Sequence, residues 1–420
     1  MTTAETSAAA PSRLRVRHTT GFWFVATAFL TLMAFGTVPT PLWPIYQVRD
    51  HFGATTVTIA FAVMVVGAAS GFMLLGHLSD RLGRRRIIVP ALLVGILSAA
   101  VLAVWPALPG LIVGRIMTGV AIGLMASTAT AYLTDLYHEA RPGQPGSAVP
   151  GLVATAANLG GLALGPLAAG ALAQWAPAPV HTAYIIFGGL MAVLLLLVLA
   201  SPETVDTELT YEDRPVRFAL RPGERTVFGA AAAVGFFAFA VMGLFSSLGA
   251  IIVRGQLGIT SYFVAGLAPF ISFAASAVAQ LVLGRLSHGL VLKIGTVLFP
   301  IGLALTALSL YRPALWLTLT AAAVAGAGAG LLFKSAVTQT VLAADPASRA
   351  GVLAVFFVIA YLGMGLPSIA FSLVIQHFAL RTSMIGFATV LSIGTIVAVS
   401  VALRTGRQRV TRQAIAPLAP

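Results

Sequence analysis

Two cations stand inside long apolar runs, and little else in this sequence has the type and spacing for chemistry. Arg115 lies in residues 108–133 and Lys334 in residues 314–341, each about 10 Å from the nearer end of its run if the run is helical, at about 1.5 Å per residue. A lone cation at that depth costs about 2.5–3.5 kcal/mol on insertion scales, so it must find backbone carbonyls, a carboxylate or an anionic ligand, or reach back to the surface. For Arg115 the choices are carbonyl or carboxylate partners against snorkelling; for Lys334 they are a neutral amine, snorkelling, or a cavity position that binds an anionic solute. No carboxylate is available in mid-run to pair with either. The acids are Glu5, Asp50, Asp80, Asp135, Glu139, six between residues 203 and 224, and Asp345. The histidines also fall near run ends or in loops, so the candidate proton carriers are Asp50 with His51, Asp135, His377 and Lys334. There is no Cys, which excludes disulfides, thiolate metal sites and thiol nucleophiles. No His/Asp or His/Glu cluster, metal-ligand set or phosphate loop is present, so an enzyme, a resident metal or a cofactor is not expected.

The elements that must carry these residues are set by composition. Hydrophobic residues make up 58% of the 420 and charged residues 9%, whereas a soluble domain is about a quarter charged. A helix needs about 20 apolar residues to cross a bilayer. The chain offers twelve such stretches: 21–46, 56–76, 87–105, 108–133, 148–173, 180–200, 226–253, 261–284, 294–311, 314–341, 351–378 and 382–403. The expected fold is therefore all-α and integral to a membrane, with helices 1 to 6 at 21–200 and helices 7 to 12 at 226–403. A tail (1–20), a linker (201–225) and a second tail (404–420) complete the chain. The run after Arg13, Arg15 and Arg17 is too long for a signal-peptide core and reads as a retained first helix. With both termini on one side, that side collects 19 of the 25 Lys and Arg, and the other only Arg49, Arg254, Arg312 and Arg381. The positive-inside rule then puts both termini in the cytoplasm, which suits a cell membrane. The same bias accounts for the net charge of +13 without nucleic acid as a partner.

The halves repeat. GHLSDRLGRRRI from Gly76 is echoed by GRLSHGLVLKIG from Gly284, and LTDLYHEARPG from Leu133 by LAADPASRAG from Leu342. Asn158 in helix 5 aligns with Tyr361 in helix 11. Two duplicated halves place a binding site between them near the bilayer midplane. Polar groups there avoid lipid, so Asn158, Tyr361, Arg115 and Lys334 are the candidate cavity residues, with Phe236, Phe237 and Phe239 as candidate lining. Pro39, Pro41 and Pro44 break helix 1 beside Trp43 and Tyr46, which suits a gate and equally an interfacial aromatic belt.

The charged burst from Gly76 to Arg86 lies between uncharged runs and must be a very short turn. With its Gly76, Leu78, Asp80, Arg81, Gly83 and Arg84 to Arg86 it resembles the loop signature of the major facilitator superfamily, and the resemblance covers 21–403. Arg115 to Gly119 is a second match; Gly161, Gly165, Pro166 and Gly170 resemble the helix-5 signature of its antiporter branches, with departures at Ala169 and Leu152. The resemblance implies a latch of Gly76, Asp80, Arg81, Gly83 and Arg84, with Asp80 at the N-terminus of helix 11 near residues 348–351, and a kinked helix 5. It implies a monomeric secondary transporter in the lipid bilayer that moves a small organic solute by alternating access, as a proton-coupled exporter. The alternatives are uptake or exchange of an organic anion or sugar, and a non-transporting receptor or scaffold on the same fold. Because His288 replaces Asp80 in the second copy, the latch is expected in the first half only.

Overall fold

The computed structural model describes residues 16–75, 82–144, 146–205 and 218–415. Among them are twelve helices long and apolar enough to cross a membrane. Helices 1 to 6 are His18–Asp50, Ala54–Met73, Arg84–Val104, Leu108–Ala140, Val149–Trp175 and Pro179–Ala200. Helices 7 to 12 are Arg225–Leu257, Tyr262–Arg285, His288–Tyr311, Leu315–Ala343, Pro346–His377 and Leu380–Arg404. The last helix continues to Ile415, beyond the expected end at 403, because the following residues are rich in the good helix formers Arg and Gln.

Each half is bound together by the same device. Between helices 2 and 4, a Cβ at Gly119 or Gly123 would collide with the carbonyl of Met64 or Ala68. Between helices 8 and 10, Gly326 and Gly330 stand in the same relation to Ser272 and Ser276. No hydrophobic force drives helices together in lipid, so small residues that let backbones touch supply the packing.

Helices 1, 2 and 7 depart from regular α-helix beyond a single 3-10 turn at one end. Helix 1 is α-helical over His18–Thr37, passes through a 3-10 turn at Thr40–Leu42 and resumes at Trp43–Asp50. Pro39 and Pro41 lack the N–H groups that would continue the ladder. Helices 2 and 7 each contain a π-helical turn, at Gly71–Leu75 and Phe245–Gly249, an irregularity that the apolar pattern does not announce.

The linker is tied to both halves. Its beginning lies on the first half, where Arg85 Nη1 donates to the carbonyls of Leu199 (3.1 Å) and Ser201 (2.7 Å). Its end lies on the second: Arg221 N donates to Ala343 O at 2.9 Å, and Asp345 N to Ala219 O at 3.0 Å.

Candidate functional site

Of the latch residues, Gly76, Asp80 and Arg81 lie outside the described residues, and Gly83 and Arg84 are inside them. Gly83 opens helix 3 with φ 106° and ψ 146°, a backbone region that is almost closed to residues with a Cβ. Glu203, just past helix 6, lies against it. The Glu203 carboxylate accepts from Arg84 N at 2.8 Å and Arg85 N at 3.1 Å. It thus caps two of the unsatisfied donors at the positive end of helix 3. Arg84 Nε reaches Asp135 on helix 4 at 3.1 Å, and Thr204 Oγ1 donates to the same carboxylate at 3.3 Å. Glu203 is therefore a member of this clasp; the sequence signal for it is an acid directly after helix 6, opposite a helix that begins on glycine with no capping side chain of its own. The second copy is built differently. A 3-10 turn at Leu283–Arg285 leads straight into helix 9 at His288, whose Nε2 lies 2.8 Å from Gln339 Nε2 at the end of helix 10.

At the end of the molecule away from the termini, neutral hydrogen bonds join the halves. Trp43 Nε1 donates to Ser246 O at 3.2 Å, in the π turn of helix 7. Thr58 and Ser372 pair through their hydroxyls at 2.8 Å, Gln376 Nε2 donates to Thr55 Oγ1 at 2.5 Å, and Tyr262 N to Gln174 Oε1 at 2.9 Å. Trp43 and Tyr46 are both 0% exposed. They do not form an interfacial belt: Tyr46 pairs with Tyr184 at 3.1 Å inside the first half, while Trp43 crosses to the second.

Arg115 does not line the space between the halves, as a cavity residue would. It is 1% exposed and enclosed by helices 1 and 2 of its own half, with Nη1 donating to Gly36 O at 2.8 Å and its guanidinium 5.8 Å from the centre of the Phe61 ring. Its Nε has no hydrogen-bond partner among the described residues. Gly36 precedes the break in helix 1, where carbonyls lose their regular donors and the helix dipole is negative. Of the two choices left by the sequence, carbonyls hold this cation. Lys334 continues the Gly326–Gly330 face, four residues on, and so points at helix 8; its Nζ donates to Gln280 O at 3.0 Å. No carboxylate lies within 4.0 Å of it among the described residues.

Helix 5 runs without interruption from Val149 to Trp175, through Pro166. Its glycines are seats for neighbours more than a kink. A Cβ at Gly161 or Gly165 would strike the carbonyl of Leu30 or Ala34 in helix 1, and one at Gly170 would lie 3.0 Å from Tyr262 O in helix 8. Gly165→Ile is expected to separate helices 1 and 5, lower the melting temperature and abolish function, while Gly160→Ala, which meets nothing within 4 Å, leaves both intact. Thermal unfolding of the two purified variants checks this.

Asn158 is half-buried and its side chain makes no hydrogen bond among the described residues. Tyr361 is buried, 5.5 Å from both Phe72 and Phe239, and its hydroxyl likewise has no partner among the described residues. Of the expected Phe lining, Phe239 joins this group. Phe237 points instead at Gly394 of helix 12, and the Phe236 backbone lies against Gly363 of helix 11.

A family model described as Major Facilitator Superfamily matches residues 24–295. A glucose transporter, GlcP, of Staphylococcus epidermidis is 39% identical over 83 residues, which is 20% of this chain and 19% of that protein. An uncharacterized transporter of the same type, YfkF of Bacillus subtilis, is 30% identical over 191 residues, 44% of this chain and 46% of that protein. The chain thus aligns with less than half the length of these relatives. The structure of the nucleoside transporter NupG superposes with a TM-score of 0.68 at 13% identity, covering 90% of this chain and 99% of that one, which shows a common fold.

Proposed function

The chain belongs to the Major Facilitator Superfamily, and on that footing we propose that it is a secondary transporter that moves a small organic solute across a cell membrane by alternating access. The observation that carries this reading is the division of the chain into two closely packed six-helix halves that neutral hydrogen bonds join at the distal end. Inside each half, helices touch backbone to backbone at Gly119, Gly123, Gly326 and Gly330. Across the distal end, the described hydrogen bonds are between neutral groups, Trp43 with Ser246 and Thr58 with Ser372 among them. Each such bond is worth about 0.5–1.5 kcal/mol net. Helices 5 and 8 also touch across the halves, with Gly266 against Pro166 O and Gly170 against Tyr262 O, so the halves meet over close helix seams and these weak bonds, and two rigid bodies can rock about such a seam. The strong Lys/Arg bias supports cytoplasmic termini.

The latch of Gly76, Asp80, Arg81, Gly83 and Arg84 closes the cytoplasmic side in this reading, and only in the first half. Asp80→Asn is expected to cut the transport rate severely and His288→Asn to leave it close to wild type, measured as solute flux into vesicles containing the purified protein. Equal losses in the two variants would contradict the asymmetry.

Proton-coupled export is the finer reading, supported by the helix-5 pattern around Gly161, Gly165, Pro166 and Gly170. Uptake of a sugar is the second reading, favoured by the similarity to the glucose transporter over a fifth of the chain. An imposed pH gradient separates them: solute efflux against its gradient, driven by inward proton flow, supports export, and sugar accumulation sinks it. If no compound of a broad panel moves under any gradient, the transporter reading itself fails.

A further inference from the structure

The end of the linker is built by its sequence to stay extended and then to turn. Pro222 disfavours helical backbone at the residue before it, Arg221. Gly223, with φ 80°, takes the left-handed place that a proline-glycine turn requires, and Glu224 N donates to Arg221 O at 3.1 Å across that turn. The extended residues before the turn pair with the segment just past helix 10. Leu220 and Ala344 form an antiparallel bridge, closed by the bonds from Arg221 N to Ala343 O and from Asp345 N to Ala219 O. Phe218 packs edge-on against Phe228 of helix 7, with centroids 5.6 Å apart. Arg221 also donates through its side chain, Nε to Ala344 O at 3.2 Å, which sets a cation at the negative end of helix 10.

Both ends of the linker are thus docked on helix termini, the first through Glu203 on helix 3 and the second through Arg221 past helix 10. The halves differ in where these contacts come from. In the first half the acid directly after helix 6 caps helix 3, whereas residues 404–420, after helix 12, contain no Asp or Glu. The second half takes its contact from the linker instead, and at another place: the turn between helices 10 and 11. That turn leads straight into helix 11. Asp345, whose N–H is held by the linker, accepts from Ala347 N through Oδ1 at 3.0 Å, and its carbonyl accepts from Ser348 N at 3.0 Å. The extended linker end fixes Asp345, and Asp345 fixes the start of helix 11.

We propose that Arg221 is a positioning residue of the transport cycle: it holds the turn of residues 344–348 in place, so that the start of helix 11 meets Asp80 when the latch side closes. This rests on the transporter reading and its latch, and it makes the linker a working part of that latch.

Spin labels test this without a known solute. The chain has no Cys, so Glu139→Cys at the end of helix 4 and Arg285→Cys at the end of helix 8, both exposed, place one label on each half at the latch side. Their separation is read by pulsed electron paramagnetic resonance on the purified full-length chain in lipid. Arg221→Ala is expected to move the distribution toward longer separations as far as Asp80→Asn does, and the double variant no further, because both remove the same closure. Arg221→Lys, which keeps a donor for Ala344 O, is expected to stay close to the unsubstituted chain. An unchanged distribution in Arg221→Ala, a shift that adds in full to that of Asp80→Asn, or a shift in Arg221→Ala with none in Asp80→Asn overturns the assignment. So does a shift that comes with a collapse of the melting temperature, which would mean that Arg221 serves the fold. These distances need no flux: their failure leaves the transporter reading standing, whereas absence of flux for every compound overturns that reading.

Discussion

Gly83→Ala is expected to lower the transport rate by about tenfold or more and to lower the melting temperature. Two effects act at the same residue. The backbone at φ 106° and ψ 146° is strained by about 1–3 kcal/mol once a Cβ is present. That Cβ would also lie 2.5 Å from Glu203 Oε2 and 2.7 Å from its carboxyl carbon, so the carboxylate must leave the first turn of helix 3. The N–H groups of Arg84 and Arg85 then lose bonds to a charged acceptor, worth about 1.5–3 kcal/mol each when shielded from water and less here, where Glu203 is only half-buried. Their sum suffices to tilt helix 3 and to slacken Arg84 on Asp135. A factor of ten in rate requires only about 1.4 kcal/mol.

A double-mutant cycle isolates the contact. Glu203→Ala removes the collision, leaving only the backbone strain for Gly83→Ala to add, so the two losses should fall well short of additivity. Glu203→Gln keeps the shape and one acceptor, and is expected to lie between wild type and Glu203→Ala. Strict additivity in melting temperature would show that glycine is needed for its backbone alone and that Glu203 is no part of the clasp.

Much of this architecture is legible in the sequence because lipid allows few solutions. Uncharged runs of about twenty residues must be helices, and the Lys/Arg alternation fixes how many. The proline break of helix 1 is legible for the same reason: Pro39 and Pro41 cannot donate. The partners of side chains are another matter. Trp43 and Tyr46 have the residue types of an interfacial belt, and only the bend of helix 1 turns them inward to Ser246 and Tyr184. Phe236, Phe237 and Phe239 are equivalent as letters; helical rotation sends Phe239 to Tyr361 and Phe237 to helix 12. Glu203 is separated from Gly83 by helices 3 to 6, so its carboxylate on the start of helix 3 follows from tertiary packing. The π turns at Gly71–Leu75 and Phe245–Gly249 leave no mark on apolar periodicity. Lys334 shows both sides of the matter: its depth is readable, whereas its direction follows from the glycine face it shares with Gly326 and Gly330.

Arg115→Met is expected to leave the melting temperature close to that of the wild type and to cut transport by about tenfold or more. Opposed terms decide the first part. Losing the guanidinium leaves Gly36 O without its donor beside the helix break, a cost of about 1–3 kcal/mol for a buried acceptor. It also removes a cation that no described carboxylate balances, which relieves about 2.5–3.5 kcal/mol of insertion cost, and Met keeps most of the volume against Phe61. The two nearly cancel. They do not cancel in function, because the segment that Arg115 holds carries Trp43, and Trp43 spans the halves to Ser246. Without a fixed end at Gly36, the distal seal loses its geometry at small cost to the fold. Arg115→Lys keeps the buried charge but replaces the planar fork by a shorter point donor, so it is expected to fail in transport and to melt below both wild type and Arg115→Met. Thermal unfolding and vesicle flux on the three proteins, read together, test this order; a strongly destabilised Arg115→Met with proportionate loss of flux would mean that the guanidinium serves the fold and not the seal.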